Sequence, residues 1–378
     1  MGVKSGLTPR NNSIRRALVC SMLPHPAASI AVYMLLESCD NLREKSENNA
    51  AGDPDMNFID QLDPELRVVV EKLPTDRPMN LNEIPKARAG MKKMVTAMLA
   101  NLPAVEGVAS QDRSAPGPKG DPDVRLRVYR PNEQPSKLPA LLWIHGGGYV
   151  MGDIEQDDRL MKQLVKRIGC VAVSVDYRLA PEHPFPAPVE DCYAGLKWLF
   201  AHADELGVEP GRIAIGGASG GGGLAAGLAL LARDRGEVQV AFQLLIYPMI
   251  DDRNVTPASY AITDPRMWNR ESNRLGWKAY LGRDGGGADV SPYAAAARAG
   301  DLTKLPPAYI PVGALDLFVD ENIEYAQRLI QAGVPTELHV YPGAFHGFDL
   351  FAPSATVSKQ FKADRDSALK RALHDTVR

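Results

Sequence analysis

Three things this chain lacks narrow what it can be: an excess of charge of one sign, a long apolar run, and cysteines with any regular spacing. The 43 Lys and Arg nearly balance 46 Asp and Glu, leaving a net charge of −3. With no concentrated basic surface to hold a phosphate backbone, nucleic acid is not an expected partner. No uninterrupted apolar stretch reaches the roughly 18 residues that a membrane span needs. The four cysteines, Cys20, Cys39, Cys170 and Cys192, show no metal-ligand spacing. Cys170 opens an apolar strand and Cys192 lies in a helical pattern, so both read as buried free thiols and the expected compartment is the reducing cytoplasm. No His or carboxylate pair has ligand spacing either, and neither a metal nor a cofactor is expected.

What is present suits a globular enzyme. With 378 residues and 45% apolar composition the chain can bury a large core, as two or three domains or as one large α/β domain with an accessory segment. Residues 1–55 stand apart, with Arg10, Arg15 and Arg16 ahead of a partly apolar stretch. Pro24, His25 and Pro26 interrupt that stretch, so a disordered or adventitious extension is expected rather than an export signal, and Met56 is an alternative start. From Asn57 to Ala100 Leu62, Leu66, Val69, Val70 and Leu73, then Met91, Met94, Val95 and Leu99, recur at helical spacing, parted by Pro74 and Pro78. A helical segment over 56–105 is therefore expected to cover something larger.

Strands and helices then alternate over 106–378. Val124–Tyr129 alternates as a half-exposed strand, whereas 138–144 and 171–175 are almost wholly apolar, as strands covered on both faces are. Further strands are expected from Ile213, in the short apolar run before the serine, and at 241–247, 308–312 and 337–341, with helices at 157–168, 191–202, 224–233 and 322–331. Repeated strand–helix–strand units imply a parallel sheet with helices on both faces. Pro311 is awkward in such a strand. An insertion near 253–289, carrying Trp268 and Trp277, falls after a strand's carboxyl end and reads as a lid or pocket wall.

The chemistry centres on Gly217-Ala218-Ser219-Gly220-Gly221. It fits G-x-S-x-G, the strand-to-helix turn that lifts a nucleophilic serine above a sheet. The same glycines fit a flexible loop, and Gly220, Gly222 and Ala225 fit a dinucleotide fingerprint. The acidic residue that fingerprint requires about 20 residues on is missing, because Val240 and its neighbours are apolar or amide. A serine needs a base, an acid to orient the base, and donors for the oxyanion. His145-Gly146-Gly147-Gly148 follows an apolar strand, so Gly146, Gly147 and the N–H of Gly220 are candidate oxyanion donors. Of seven histidines, His346 alone follows the last strand among small residues. Asp316 follows the 308–312 strand, and the order Ser219, Asp316, His346 is that of a hydrolase triad. Asp320 and Glu321, one turn on, read instead as the start of a helix.

Together these residues resemble the hormone-sensitive-lipase-like family of bacterial carboxylesterases. The likeness runs from about Asn57 to Leu350 and includes His145-Gly146-Gly147-Gly148-Tyr149, the run from Asp176 to Pro188, the serine turn, Ser291-Pro292-Tyr293, and His346-Gly347-Phe348. It implies an α/β-hydrolase fold with a mostly parallel, twisted sheet of about eight strands, helices on both faces and a helical cap. It also implies hydrolysis of short- to medium-chain acyl esters through an acyl-enzyme. Tyr149, Trp268 and Trp277 are expected pocket walls, and an exposed edge such as the last strand permits a homodimer. An acyltransferase or amidase would use the same triad, and a receptor on this fold would keep the pocket without turnover. Two departures stand out: the family usually has Asp or Thr before the serine and Ala after it, where Ala218 and Gly220 stand here, and Pro after the acid, where Leu317 stands.

Overall fold

The structure, a computed structural model, describes residues 58–73, 80–100, 102–134 and 136–375. The extension 1–55, Pro74 and Pro78 lie outside them. In chain order come α1 (Phe58–Gln61), α2 (Pro64–Val70), α3 (Ile84–Leu99), β1 (Val108–Ala115), β2 (Val124–Pro131), β3 (Leu138–Ile144), α4 (Asp158–Leu164), β4 (Val171–Asp176), α5 (Ala187–Ala201), α6 (Ala203–Leu206) and β5 (Val208–Ala218). They are followed by α7 (Gly220–Arg235), β6 (Phe242–Ile246), α8 (Pro257–Ala261), α9 (Arg270–Leu281), β7 (Ala308–Leu315), α10 (Val319–Gln331), β8 (Thr336–Phe345), α11 (Phe348–Phe351) and α12 (Thr356–His374).

The strands form one eight-stranded sheet in the order β1-β2-β4-β3-β5-β6-β7-β8. From β4 to β8 every neighbouring pair is parallel, and only the β1/β2 and β2/β4 pairs are antiparallel. Side chains along a strand alternate between faces, so the apolar strands feed two cores. Leu142, Ile144, Val173, Val175, Ile213 and Ile215 pack with α5, α7 and α10 on one face. Leu141, Trp143, Ala172 and Ala214 pack with α4 and with Phe361, Leu369 and Leu373 of α12 on the other. Each fully buried Leu or Phe there contributes about 1.5–3 kcal/mol.

Strand β1 has no counterpart in the sequence reading, because Val108–Ala115 has no apolar alternation and is largely exposed. It forms by pairing along its whole length with β2. Asp112 there bonds Arg127 and Arg125, and the Arg127 guanidinium holds its carboxyl down at about 2. Pro311 is accommodated because β6 and β7 pair in register only at Gln243–Ala308 and Leu244–Tyr309, and Pro311 lies beyond them. Its carbonyl still accepts from Tyr247 N–H at 2.8 Å.

The cap region is held by polar as much as apolar contacts. Asp63 caps α2, accepting from Glu65 N–H at 2.8 Å, while its own N–H donates to Gly343 O at 3.0 Å. Leu62, Leu66 and Val70 are buried beneath. Helix α3 has no fully buried residue. Arg88 fastens it, donating to Val150 O at 2.7 Å, to Ala180 O at 2.9 Å and through two nitrogens to Glu182. Among the described residues no helix is long and apolar enough to cross a membrane.

Candidate active site

Strand β5 ends at Ala218 and α7 begins at Gly220, so Ser219 alone makes the turn, at φ 57° and ψ −121°. That backbone is unfavourable for an L residue and persists only where its surroundings enforce it. Here Ser219 N–H donates to Ile246 O at 2.9 Å, and Ser219 O accepts from Gly223 at 2.9 Å and Met249 at 3.1 Å. The helix was expected from Leu224 and instead starts four residues earlier, with all four glycines buried. The reason is contact: a methyl on Gly221 would lie 2.2 Å from Ile144 O and 2.4 Å from His145 O. The glycines let the start of α7 touch the end of β3.

Above this turn, His346 Nε2 lies 2.9 Å from Ser219 Oγ, and His346 Nδ1 lies 2.7 Å from Asp316 Oδ2. Asp316, buried at the end of β7, accepts a second bond from Phe318 N–H at 2.9 Å on Oδ1. A carboxylate facing Nδ1 selects the tautomer with the proton there, which leaves Nε2 free to accept from the serine hydroxyl. The imidazole lies between two ring edges, Tyr247 at 4.8 Å and Phe318 at 5.1 Å between centroids. Asp320 and Glu321 face elsewhere: Asp320 accepts from Ala258 N–H at 2.7 Å, and Glu321 from Ile250 and Asp251 N–H at 2.8 and 3.2 Å.

The glycine loop after β3 lies directly opposite. A methyl on Gly146 would come within 3.6 Å of Ser219 Cβ, and one on Gly220 within 3.0 Å of Gly148 N. Gly147 and Gly148 have φ 125° and 57°, which turns the loop back over the start of α7. His145 braces it, Nδ1–H donating to Gly146 O at 2.9 Å while its ring stacks on Tyr177 at 4.3 Å. The Gln156 amide reaches the same carbonyl at 3.3 Å. Beside it, Met91, Val95 and Leu99 of α3 face Gly152–Gln156 across a cleft of about 310 Å³.

Of the three aromatics expected to wall the pocket, two are packed inside. Tyr149 is fully buried, stacked on Tyr280 at 4.1 Å with its hydroxyl donating to Met249 O at 2.6 Å, and Trp277 packs behind it. Both are core residues, packed with Tyr280 into one aromatic cluster. Trp268 keeps exposed surface, and its ring tip would meet a methyl on Gly148 at 2.1 Å. The sequence reading missed Tyr247, Phe318 and Asp349. Tyr247 directly follows β6 and Asp349 comes three residues after His346, but neither fits a triad motif.

Among the described residues no group of three or more His, Cys, Asp or Glu is placed to hold a metal ion. A family profile described as "alpha/beta hydrolase fold" matches residues 141–350. The chain is similar to the carboxylesterase NlhH of Mycobacterium tuberculosis, 34% identical over 319 residues that cover 83% of this chain and 97% of that one. It is also similar to the esterase LipI of that organism, 38% identical over 65% of this chain and 77% of that one. Among solved structures, a bacterial heroin esterase superimposes with a TM-score of 0.81 at 46% identity, covering 84% of this chain and 100% of its own. Esterase LipW from Mycobacterium marinum does so with a TM-score of 0.73 at 37% identity, covering 84% and 97%.

Proposed function

We infer the catalytic roles from one premise: this chain belongs to the α/β-hydrolase fold family and is a serine-type carboxylesterase acting on acyl esters, related to the bacterial hormone-sensitive-lipase-like carboxylesterases. In the reading proposed, Ser219 Oγ attacks the ester carbonyl while His346 Nε2 takes its proton. Asp316 keeps the imidazole in the accepting tautomer and stabilises the imidazolium that forms. The negative oxygen of the tetrahedral intermediate is held by the N–H groups of Gly146, Gly147 and Gly220; losing one such donor typically costs about 3 kcal/mol. Collapse expels the alcohol, which receives the proton from His346. A water then gives its proton to the same nitrogen, attacks the acyl carbon, and the second collapse returns the proton to Ser219 and frees the acid.

The observation that carries this reading is the unbroken hydrogen-bonded chain Asp316–His346–Ser219 at 2.7 and 2.9 Å. A serine-directed organophosphate is expected to label Ser219 at one equivalent per chain, and Ser219→Ala to remove both labelling and turnover. Labelling that persists in Ser219→Ala overturns the assignment.

For the substrate we propose a short- to medium-chain acyl ester. Trp268 packs against Gly148 of the glycine loop, which leaves little room above that loop for a long acyl chain. Likeness to a bacterial heroin esterase supports a small ester as substrate. A 4-nitrophenyl acetate to octanoate series locates the optimum, and a maximum at octanoate or beyond refutes the short-acyl proposal. We further propose cytoplasmic residence, in keeping with Cys170 and Cys192 as buried free thiols, and pairing of two copies along the β8 edge, where Val340 is exposed. Light scattering on the purified chain tests the latter.

A further inference from the structure

The triad accounts for what His346 does but not for what keeps its ring in place. The turn Phe345–Asp349 that carries it projects from β8, an edge strand, and the ring is held there by its bond to Asp316 and by the near-perpendicular Phe318 ring at 5.1 Å. Tyr247 supplies a further constraint. It sits at φ 32°, a left-handed backbone that a bulky L residue enters only under compulsion, and its N–H is held by Pro311 O at 2.8 Å. That conformation carries the side chain across the carboxyl end of the sheet. There its ring edge meets the imidazole at 4.8 Å, and its hydroxyl, buried and kept un-ionised by that burial, donates to Asp349 Oδ1 at 3.1 Å. Asp349 is itself buried, three residues beyond the histidine. The bond therefore ties the end of β6, whose Ile246 O also holds Ser219 N–H, to the turn bearing His346.

We propose that Tyr247 is a positioning residue for catalysis and that Asp349 is its anchor: the ring limits rotation of His346, and the hydroxyl-to-carboxyl bond fixes the distance between nucleophile turn and base turn. The proposal rests on His346 acting as the base. Misplacing a catalytic group by a fraction of an ångström lowers the rate without weakening substrate binding. The expected loss therefore appears in kcat.

The test compares Tyr247→Phe, which keeps the ring and removes the donor, with Asp349→Asn, which keeps an acceptor, and Asp349→Ala, which removes it. Each is assayed on 4-nitrophenyl acetate at least 15 °C below its own Tm. Tyr247→Phe and Asp349→Ala are expected to lose about tenfold in kcat with KM within twofold, and to react with organophosphate correspondingly slower. Asp349→Asn is expected to keep at least half of kcat. A Tyr247→Phe enzyme with kcat within twofold of the parent overturns the proposal, whatever its Tm, since a structural role alone lowers Tm and spares kcat. So does an Asp349→Asn enzyme as slow as Asp349→Ala, or a loss confined to KM. If Asp349→Ala does not fold, Tyr247→Phe and Asp349→Asn decide the matter. Failure of the base assignment looks different: His346→Ala would then retain turnover, and the proposal falls with it.

Discussion

Replacing Asp316 by Asn tests the tautomer argument at its narrowest point. The wild-type carboxylate accepts twice, from His346 Nδ1–H at 2.7 Å on Oδ2 and from Phe318 N–H at 2.9 Å on Oδ1. An Asn amide of the same shape offers one acceptor and one donor face. If its oxygen turns to Phe318, its NH₂ faces Nδ1, which must then give up its proton and accept. The proton moves to Nε2, so the nitrogen 2.9 Å from Ser219 Oγ donates to the serine and cannot deprotonate it. If the amide flips, its NH₂ meets the Phe318 N–H donor in a buried site, at a cost of roughly 1–3 kcal/mol for the unsatisfied pair. The first arrangement is favoured, and the equivalent loss of tautomer control lowers kcat by about 10⁴, equivalent to about 5.5 kcal/mol of barrier. The assay is kcat/KM on 4-nitrophenyl acetate with the organophosphate labelling rate beside it, and thermal denaturation to show that the variant folds. Asp320→Asn is the control: its amide oxygen still accepts from Ala258 N–H, and kcat is expected within twofold of the parent. A loss below tenfold in Asp316→Asn, or a larger loss in Asp320→Asn, refutes the reasoning.

Gly221→Ala is expected to lower Tm by about 2–5 °C and kcat with it, because its methyl meets two backbone carbonyls at 2.2 and 2.4 Å and overpacking costs about 1–3 kcal/mol; an unchanged melting curve contradicts that contact. Glu321 gives a pH signature. Burial pushes its carboxyl well above the ordinary 4.5, so the native chain keeps a proton that the unfolded chain releases, and this stabilisation is full at low pH and is lost as pH rises above about 4.5 toward the folded value. Glu321→Gln keeps the acceptor for Ile250 and Asp251 without the titration, so its Tm relative to the parent is expected to rise between pH 5 and pH 8; a flat or falling difference counts against it. Trp268→Ala opens the wall beside Gly148 and is expected to raise kcat/KM for butanoate and hexanoate esters at least threefold relative to acetate, whereas an unchanged chain-length profile removes Trp268 from the pocket.

Much of this site is legible in the sequence because its parts sit at strand ends, and apolar strands announce themselves. The apolar runs at 138–144, from Ile213 and at 308–312 put His145, Ser219 and Asp316 just beyond strand ends from the sequence alone. What stays hidden depends on register and packing. Strand β1 is a polar segment made into a strand by its neighbour β2, and no propensity marks it. Tyr149 and Trp277 have the composition of pocket walls but are buried in a cluster with Tyr280 that only the fold assembles. Tyr247 and Asp349, 102 positions apart, meet across the sheet end, a pairing that no local pattern encodes.

The glycines around Ser219 support three readings in the sequence, and packing explains why one holds. A flexible loop would leave the glycines in solvent, whereas these four are buried in the first turn of α7. A dinucleotide fingerprint uses its glycines to admit a ligand's phosphates, but the space a side chain would take at Gly221 is filled by the carbonyls that end β3. Gly221 thus brings the strand carrying Gly146 and Gly147 against the helix that starts beside the nucleophile. The departures from the family pattern follow the same geometry. At Gly220, a methyl would come within 2.9 Å of Tyr149 N and 3.0 Å of Gly148 N. In this chain the glycine loop therefore lies closer to the helix than a methyl allows, with the stacked Tyr149 and Tyr280 filling the space behind it. The residue after the nucleophile is set by how closely the loop approaches, and the backbone N–H proposed to bind the oxyanion is present with either side chain.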